Sequence, residues 1–310
     1  MRFKKPKFWD YKKISFWSII LIPFSILYQL VLWIKILISI FKKNKGKYPI
    51  ICVGNIYLGG TGKTPLAIEI FKLLKSDGKN PAFIKKNYSY LKDEIKMMSE
   101  IGTIYNLSNR ASAIALSESE GHDVAILDDG YQDFSIHPNF SILCFNSKQL
   151  IGNGLLIPAG PLREKLSAVL RADCIIINGK KDEKTSIFEN QILKKKKLHF
   201  FYSKYKIKNI EKFHNKEITA FAGIGNPSNF FDLLEYNNLN VKKTYSFPDH
   251  HNYSEEDFEK IIGNKSTKLV TTKKDYYRMT DQQKKNCDFI EVDLEIENKE
   301  KFYSLIKNYL

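Results

Sequence analysis

Apolar and polar positions follow three different patterns along this chain. From Ile14 to Ile34 the stretch ISFWSIILIPFSILYQLVLWI carries no charged side chain. As a helix rising about 1.5 Å per residue, it would match the hydrocarbon thickness of a bilayer. From Tyr48 onward, short apolar runs alternate with amphipathic stretches, the pattern of an α/β fold built on a parallel sheet. YPIICVGNI (48–56) predicts a buried strand, and TPLAIEIFKLLKSDG (64–78) predicts an amphipathic helix with Pro65 in its tolerant first turn. Further strands are predicted at 81–85, 123–127, 140–145 and 174–178, with helices at 93–100, 109–119 and 162–171. Residues 183–217 break the rhythm with a lysine-rich stretch and then the alternation LHFFYSKYKIKNIEKF, which predicts a polar connector or a two-stranded ribbon. The α/β pattern then resumes, with strands at 218–225, 241–247, 268–272 and 288–294 and helices at 229–236, 254–262 and 298–309. Four segments follow: 1–47, apolar with basic flanks; 48–182, a parallel-sheet domain; 183–217, a connector or β-ribbon; and 218–310, a second, smaller α/β domain.

The apolar run is too long and begins too late for a secretory signal, and no small-residue cleavage site follows it. Membrane attachment is the expectation. Arg2, Lys4, Lys5, Lys7, Lys12 and Lys13 precede it, and Lys35, Lys42, Lys43, Lys45 and Lys47 close or follow it, so the positive-inside rule selects no orientation. With Pro23 inside the run, the segment suits a helix that dips into the cytoplasmic leaflet and returns, or one that lies in the interface. Either way its lysines would meet anionic headgroups.

The formal net charge of +15 favours an anionic partner: nucleic acid, a phosphorylated substrate or an acidic membrane surface. Arginine occurs only at positions 2, 110, 163, 171 and 278, where its planar fork suits phosphate or carboxylate. Cys52, Cys144, Cys174 and Cys287 lie far apart and mostly in apolar runs, which argues for reduced core thiols and against a disulfide framework or a cysteine metal site.

Four stretches could carry chemistry. Gly59-Gly60-Thr61-Gly62-Lys63-Thr64 lies between a predicted strand and a predicted helix, where backbone N–H groups and the helix dipole favour a phosphate. Lys63 would reach the β- and γ-phosphates and the Thr64 hydroxyl would ligate Mg²⁺, although the general pattern places glycine where Tyr57 stands. VAILDDGYQD (124–133) ends a strand in Asp128 and Asp129, at the sheet edge where α/β folds bind ligands, and one such carboxylate can hold Mg²⁺ directly or through water. In LIPAGPLRE (156–164), Glu164 either joins the metal site or favours a helix N-terminus. In FPDHHNY (247–253), His250 and His251 beside Asp249 suit proton handling or an exposed loop equally.

VGNIYLGGTGKTP, LDDGYQD, PAGPLRE, FAGIGNPSNF, FPDHHNY and VTTKKDYYR occur in this order between residues 53 and 278. Together they resemble the tetraacyldisaccharide 4′-kinases, which phosphorylate a lipid A precursor in Gram-negative bacteria. In that family the phosphate loop generally lacks the early glycine, so Tyr57 agrees with the resemblance. The resemblance implies a P-loop NTPase-like kinase domain at 48–182, ATP and Mg²⁺ as cofactors, and Gly59, Gly60, Thr61, Gly62, Lys63 and Thr64 as the nucleotide cradle. It places Thr64, Asp128, Asp129 and Glu164 at the metal and phosphate site. Asp93, in LKDE, falls at the family's catalytic aspartate with His250 as its partner, His250 being chosen over His251 because it directly follows Asp249 in the family-like DH pair.

The implied reaction is phosphorylation of the 4′-hydroxyl of tetraacyldisaccharide 1-phosphate, giving lipid IVA and ADP at the cytoplasmic face of the inner membrane. The expected partners are that acylated glucosamine disaccharide lipid and an anionic membrane surface, with no nucleic acid. A membrane-associated P-loop ATPase switch shares the loop and the strand-end aspartate and is the alternative. Three positions depart from the family pattern: Asp133 stands for a histidine, Lys85-Lys86-Asn87-Tyr88 replaces a serine-arginine-glycine-tyrosine stretch, and the Tyr88 to Asp93 connection is shorter.

Overall fold

Runs of five to seven consecutively buried residues, such as Ile50–Gly54 and Phe140–Asn146, become neighbouring parallel strands because both of their faces are covered. The computed structural model describes residues 5–11, 13–40, 48–88, 90–262 and 267–310. Several expected basic flanking residues, Arg2, Lys4, Lys12, Lys42, Lys43, Lys45 and Lys47, lie outside them. The chain divides into two units, the larger made of Lys5–Asn87, Met98–Lys204 and Glu295–Leu310, the smaller including Tyr88–Met97 and Tyr205–Leu294.

The chain begins with α1 (Phe16–Ile40), then β1 (Ile50–Gly54), α2 (Lys63–Ser76), β2 (Pro81–Lys86), α3 (Lys92–Ser99), β3 (Ile104–Leu107), α4 (Arg110–Ser119), β4 (Val124–Asp128), β5 (Phe140–Asn146) and β6 (Cys174–Asn178). It continues with α5 (Glu183–Leu193), β7 (His199–Ile207), β8 (Ile218–Ala222), α6 (Pro227–Tyr236), β9 (Val241–Ser246), α7 (Glu255–Ile262) and β10 (Lys268–Thr272). Last come α8 (Lys273–Tyr277), α9 (Asp281–Lys285), β11 (Cys287–Ile290), β12 (Val292–Ile296) and α10 (Lys299–Lys307).

The larger sheet runs β12-β7-β6-β5-β1-β4-β2-β3. β1 pairs in parallel with β4 on one side and β5 on the other, so the order reverses there, the place in such sheets beyond whose carboxyl end ligands bind. The smaller sheet, β11-β10-β8-β9, is parallel throughout. Its two apolar clusters gather around Phe213, Ala220 and Leu234, and around Phe221, Tyr253 and Phe258.

Three elements differ from expectation. Only Leu166–Arg171 of the helix predicted at 162–171 turns helically, as a 3-10 helix, because Leu162 spends its N–H on Leu155 and its carbonyl on Ile157. The predicted connector instead forms α5, started by an Asp182–Thr185 capping box, and β7, which joins the larger sheet beside β6. The single strand expected at 288–294 is two, with β11 in the smaller sheet and β12 at the edge of the larger one.

The apolar run forms one helix through Pro23. Ser18, Ser25 and Leu32, seven residues apart, share its buried face. Ser25 Oγ donates to the Leu156 carbonyl at 2.9 Å and accepts from the Ala159 N–H at 3.1 Å, and Tyr28 donates to the Arg163 carbonyl at 3.0 Å. Trp17, Phe24 and Leu27 are 62%, 59% and 60% exposed. Ordinary surface helices of soluble domains bury the apolar side, so this polarity is inverted.

Candidate active site

The loop after β1 is tied down from within. Asn55, buried, donates through Nδ2 to the Tyr57 carbonyl at 2.6 Å and to Thr61 Oγ1 at 3.0 Å. Gly62 caps α2 at φ 91°, a left-handed conformation that glycine adopts without a Cβ penalty. The Tyr57 side chain, at the position of the missing glycine, is buried; its hydroxyl donates to Asp10 Oδ1 at 2.5 Å and its backbone bridges Leu162. Tyr57 thus anchors the start of the loop, while the turn into the helix depends on Gly62.

At the carboxyl end of β4, Asp128 is fully buried. Its Oδ2 accepts from Thr64 Oγ1 at 3.0 Å and from Lys85 Nζ, while Oδ1 is buried with no hydrogen-bond partner. A buried carboxylate oxygen left open beside a threonine hydroxyl fits a hard, oxygen-seeking cation, so Thr64 and Asp128 would hold Mg²⁺. Asp129 instead faces cations: Arg163 Nη1 lies 2.9 Å from Oδ1 and 3.1 Å from Oδ2, and Lys63 Nζ lies 3.7 Å from Oδ1. Glu164 accepts from Arg171 Nη2 at 2.9 Å and Gln132 Nε2 at 3.0 Å. Among the described residues, no three His, Cys, Asp or Glu side chains gather as a metal cluster. Asp133 accepts from Arg110 Nη1 at 3.2 Å, and Arg110 Nη2 donates to the Asp129 carbonyl at 2.8 Å.

Burial alone would raise the Asp129 carboxyl, but Lys63, Arg163 and Lys85 outweigh it and hold the group far below the usual carboxylate range. A carboxylate depressed on folding contributes stability that is complete above its unfolded value of about 4 and is lost as pH falls towards its folded value. The stability difference between the parent and Asp129→Asn is therefore expected to be constant down to about pH 5 and to shrink below about pH 4. Thermal melts across pH check this; a difference unchanged at pH 2 would mean that the surrounding cations do not depress Asp129.

A second cluster forms within the smaller unit. Asp93, near the start of α3, is 2% exposed and neither carboxylate oxygen has a hydrogen-bond partner. His250 Nδ1 stands 3.9 Å and Arg278 Nε 3.6 Å from Asp93 Oδ2. His250 has a positive φ of 55°, and its N–H donates to the Gly223 carbonyl at 3.0 Å. His251 stacks on Phe247 and pairs with Asp257 at 2.8 Å, so the two adjacent histidines are held by different partners. Asp275 holds Arg278 Nη2 at 2.7 Å and also accepts from Tyr253 at 2.8 Å and the Gly223 N–H at 3.0 Å. Lys274 donates to Glu94; burial would lower its ammonium, but Glu94, Asp93 and Asp249 push it up to about 12. Sequence reasoning gave no individual roles to Lys85, Lys274, Asp275 or Arg278. The last three share the VTTKKDYYR motif, which flagged the segment and not their partners.

A central parallel strand feeding a glycine-rich turn, a lysine and threonine opening the next helix, and an aspartate ending the adjacent strand define a P-loop nucleotide-binding protein. The chain belongs to the tetraacyldisaccharide-1-P 4′-kinase (LpxK) family, whose model matches residues 17–104 and 93–310. It is 39% identical over 300 residues to the tetraacyldisaccharide 4′-kinase of Pelagibacter ubique, covering 96% of this chain and 95% of that protein. It is 32% identical over 315 residues to that of Rickettsia canadensis, covering 94% and 93% respectively. LpxK from Aquifex aeolicus, solved in complex with ATP, superposes with a TM-score of 0.75 at 25% identity, covering 94% of this chain and 99% of that one.

Proposed function

We propose that this chain transfers the γ-phosphoryl group of ATP to the 4′-hydroxyl of a tetraacyldisaccharide 1-phosphate, forming lipid IVA and ADP. The observation that carries the reading is the buried Asp93 carboxylate, free of hydrogen bonds and 3.9 Å from His250 Nδ1. A P-loop ATPase switch would use such a pair to activate water instead, so the dependence of turnover on the lipid acceptor separates the two readings.

The Gly59–Thr64 backbone and the Lys63 ammonium orient the phosphates and neutralise charge on the transferred group. Mg²⁺, held by Thr64 and Asp128, would supply further neutralisation of the triphosphate. Arg163 holds Asp129 in place beside Lys63. Asp93 accepts the proton of the 4′-hydroxyl, and His250 orients that carboxylate and spreads the developing charge. Glu164, paired with Arg171, braces the loop that carries Arg163.

The lipid substrate explains the inverted helix. α1 is long and apolar enough to cross a membrane, but it is hydrogen-bonded to its own unit at Ser25 and Tyr28. We therefore read it as lying in the cytoplasmic leaflet of the inner membrane, with Trp17, Phe24 and Leu27 among the acyl chains. The test is phosphate transfer from labelled ATP by the full chain, with and without disaccharide 1-phosphate in anionic vesicles. Lipid-dependent labelling is expected, and lipid-independent hydrolysis at an equal rate would favour the switch. In the same assay, joint replacement of Trp17, Phe24 and Leu27 by Gln should release the protein from vesicles yet preserve turnover of detergent-dispersed substrate; undiminished vesicle binding would remove α1 as the anchor.

A further inference from the structure

Lys85 and Asp128 form an ion pair with both side chains out of solvent, at 3% and 0% exposure. The register places them side by side, since the preceding residues Ile84 and Leu127 are partners in the β2–β4 ladder. Burying two charges costs more than packing two apolar side chains in the same space, so stability alone is a poor reason for the pair. Lys85 also begins the stretch that departs from the family pattern.

The arrangement of the carboxylate points to a reason. Oδ2 is taken by Lys85 and by Thr64 Oγ1, while Oδ1 remains buried and without a hydrogen-bond partner. The fixed ammonium already balances the charge of Asp128. A divalent cation approaching alone would meet a neutralised carboxylate and a nearby positive charge. A cation arriving on a triphosphate brings the negative charge that offsets Lys85.

We propose that Lys85 is a built-in counter-ion that keeps divalent cations off Asp128 until a nucleoside triphosphate delivers one. This rests on the kinase reading of the same site. Lys85 is thus a positioning residue, acting through Asp128: it makes metal entry conditional on nucleotide and directs the metal to Oδ1.

The test uses the full chain and Mn²⁺ as a paramagnetic probe, with free ion counted by electron paramagnetic resonance. Without nucleotide, the parent should bind Mn²⁺ weakly. Lys85→Met should bind one Mn²⁺ about 10- to 100-fold more tightly, the size of effect a neighbouring cation has on a carboxylate's proton affinity. Mg²⁺ alone should raise the melting temperature of Lys85→Met and leave that of the parent unchanged, because the ion replaces the missing ammonium. Lys85→Met with Asp128→Asn should lose the gained site. No tighter Mn²⁺ binding by Lys85→Met, a gained site that survives Asp128→Asn, or a Lys85→Met protein that stays unfolded in Mg²⁺ would each overturn the proposal. If the parent fails to bind Mn²⁺ even with ATP, the kinase reading fails as well; if it binds Mn²⁺ with ATP and only the variant result is missing, the counter-ion role alone is lost.

Discussion

Lys63→Ala should lower kcat/KM for phosphoryl transfer by about 10²- to 10³-fold, the range for removing one preorganised charge-stabilising group. Lys63 opens α2 directly after the left-handed Gly62, so its backbone position is set by the turn and not by its own side chain. Its ion-pair partner in the protein, Asp129, lies at 3.7 Å and is held more closely by Arg163 at 2.9 Å. Losing a long, partly exposed ion pair costs little stability. The melting temperature should therefore stay close to that of the parent while activity falls. Lys63→Arg should not restore the rate, because a planar fork does not replace a compact ammonium on a flexible stem. Steady-state rates with the disaccharide lipid, measured beside thermal melts, decide the matter. Near-parental turnover in Lys63→Ala would remove the glycine-rich loop from the mechanism.

Asp93→Asn should reduce kcat by about 10²- to 10⁴-fold, the contribution of a positioned base to a reaction of a weakly acidic hydroxyl. Asparagine has nearly the same shape and cannot take up the proton. The change strips no hydrogen bond, since neither Asp93 oxygen has one, and Arg278 keeps its 2.7 Å contact to Asp275. ATP affinity should persist because the phosphate-binding residues belong to the other unit. Calorimetric titration with ATP, set against kcat, separates these outcomes. Equal losses in ATP affinity and in kcat would make Asp93 a structural residue, and unaltered kcat would place the base elsewhere.

Local sequence was enough to locate much of the fold. β1, β4, β5 and β6 are continuous apolar runs, and burial on both faces is a property of each segment by itself. The Gly62-Lys63-Thr64 turn was legible for a similar reason, since a strand, glycines and a proline-started helix within a few residues define a phosphate cradle locally. β7 was not legible: its alternation suits an edge ribbon as well as a strand beside β6, and only the completed sheet chooses its neighbour. The failed helix at 162–171 has the same origin, because Leu162 gives its backbone groups to Leu155 and Ile157, partners that helical periodicity leaves out of account.

The charged partners of the site divide in the same way. The hydrophobic pattern and local motifs by themselves determined an apolar basic-flanked segment, two α/β segments, a nucleotide loop and the strand-end Asp128, whereas Asp93 and its pairing with His250 were expected only from the family resemblance. Neither the pattern nor the motifs could show that Lys85 meets Asp128 or that Arg163 grips Asp129, whereas the DH pair already pointed to His250 over His251 beside Asp93. Periodicity records how each segment divides between solvent and core. Which charge meets which depends on strand register, sheet order and the direction of a few side chains, and the tertiary structure alone decided those.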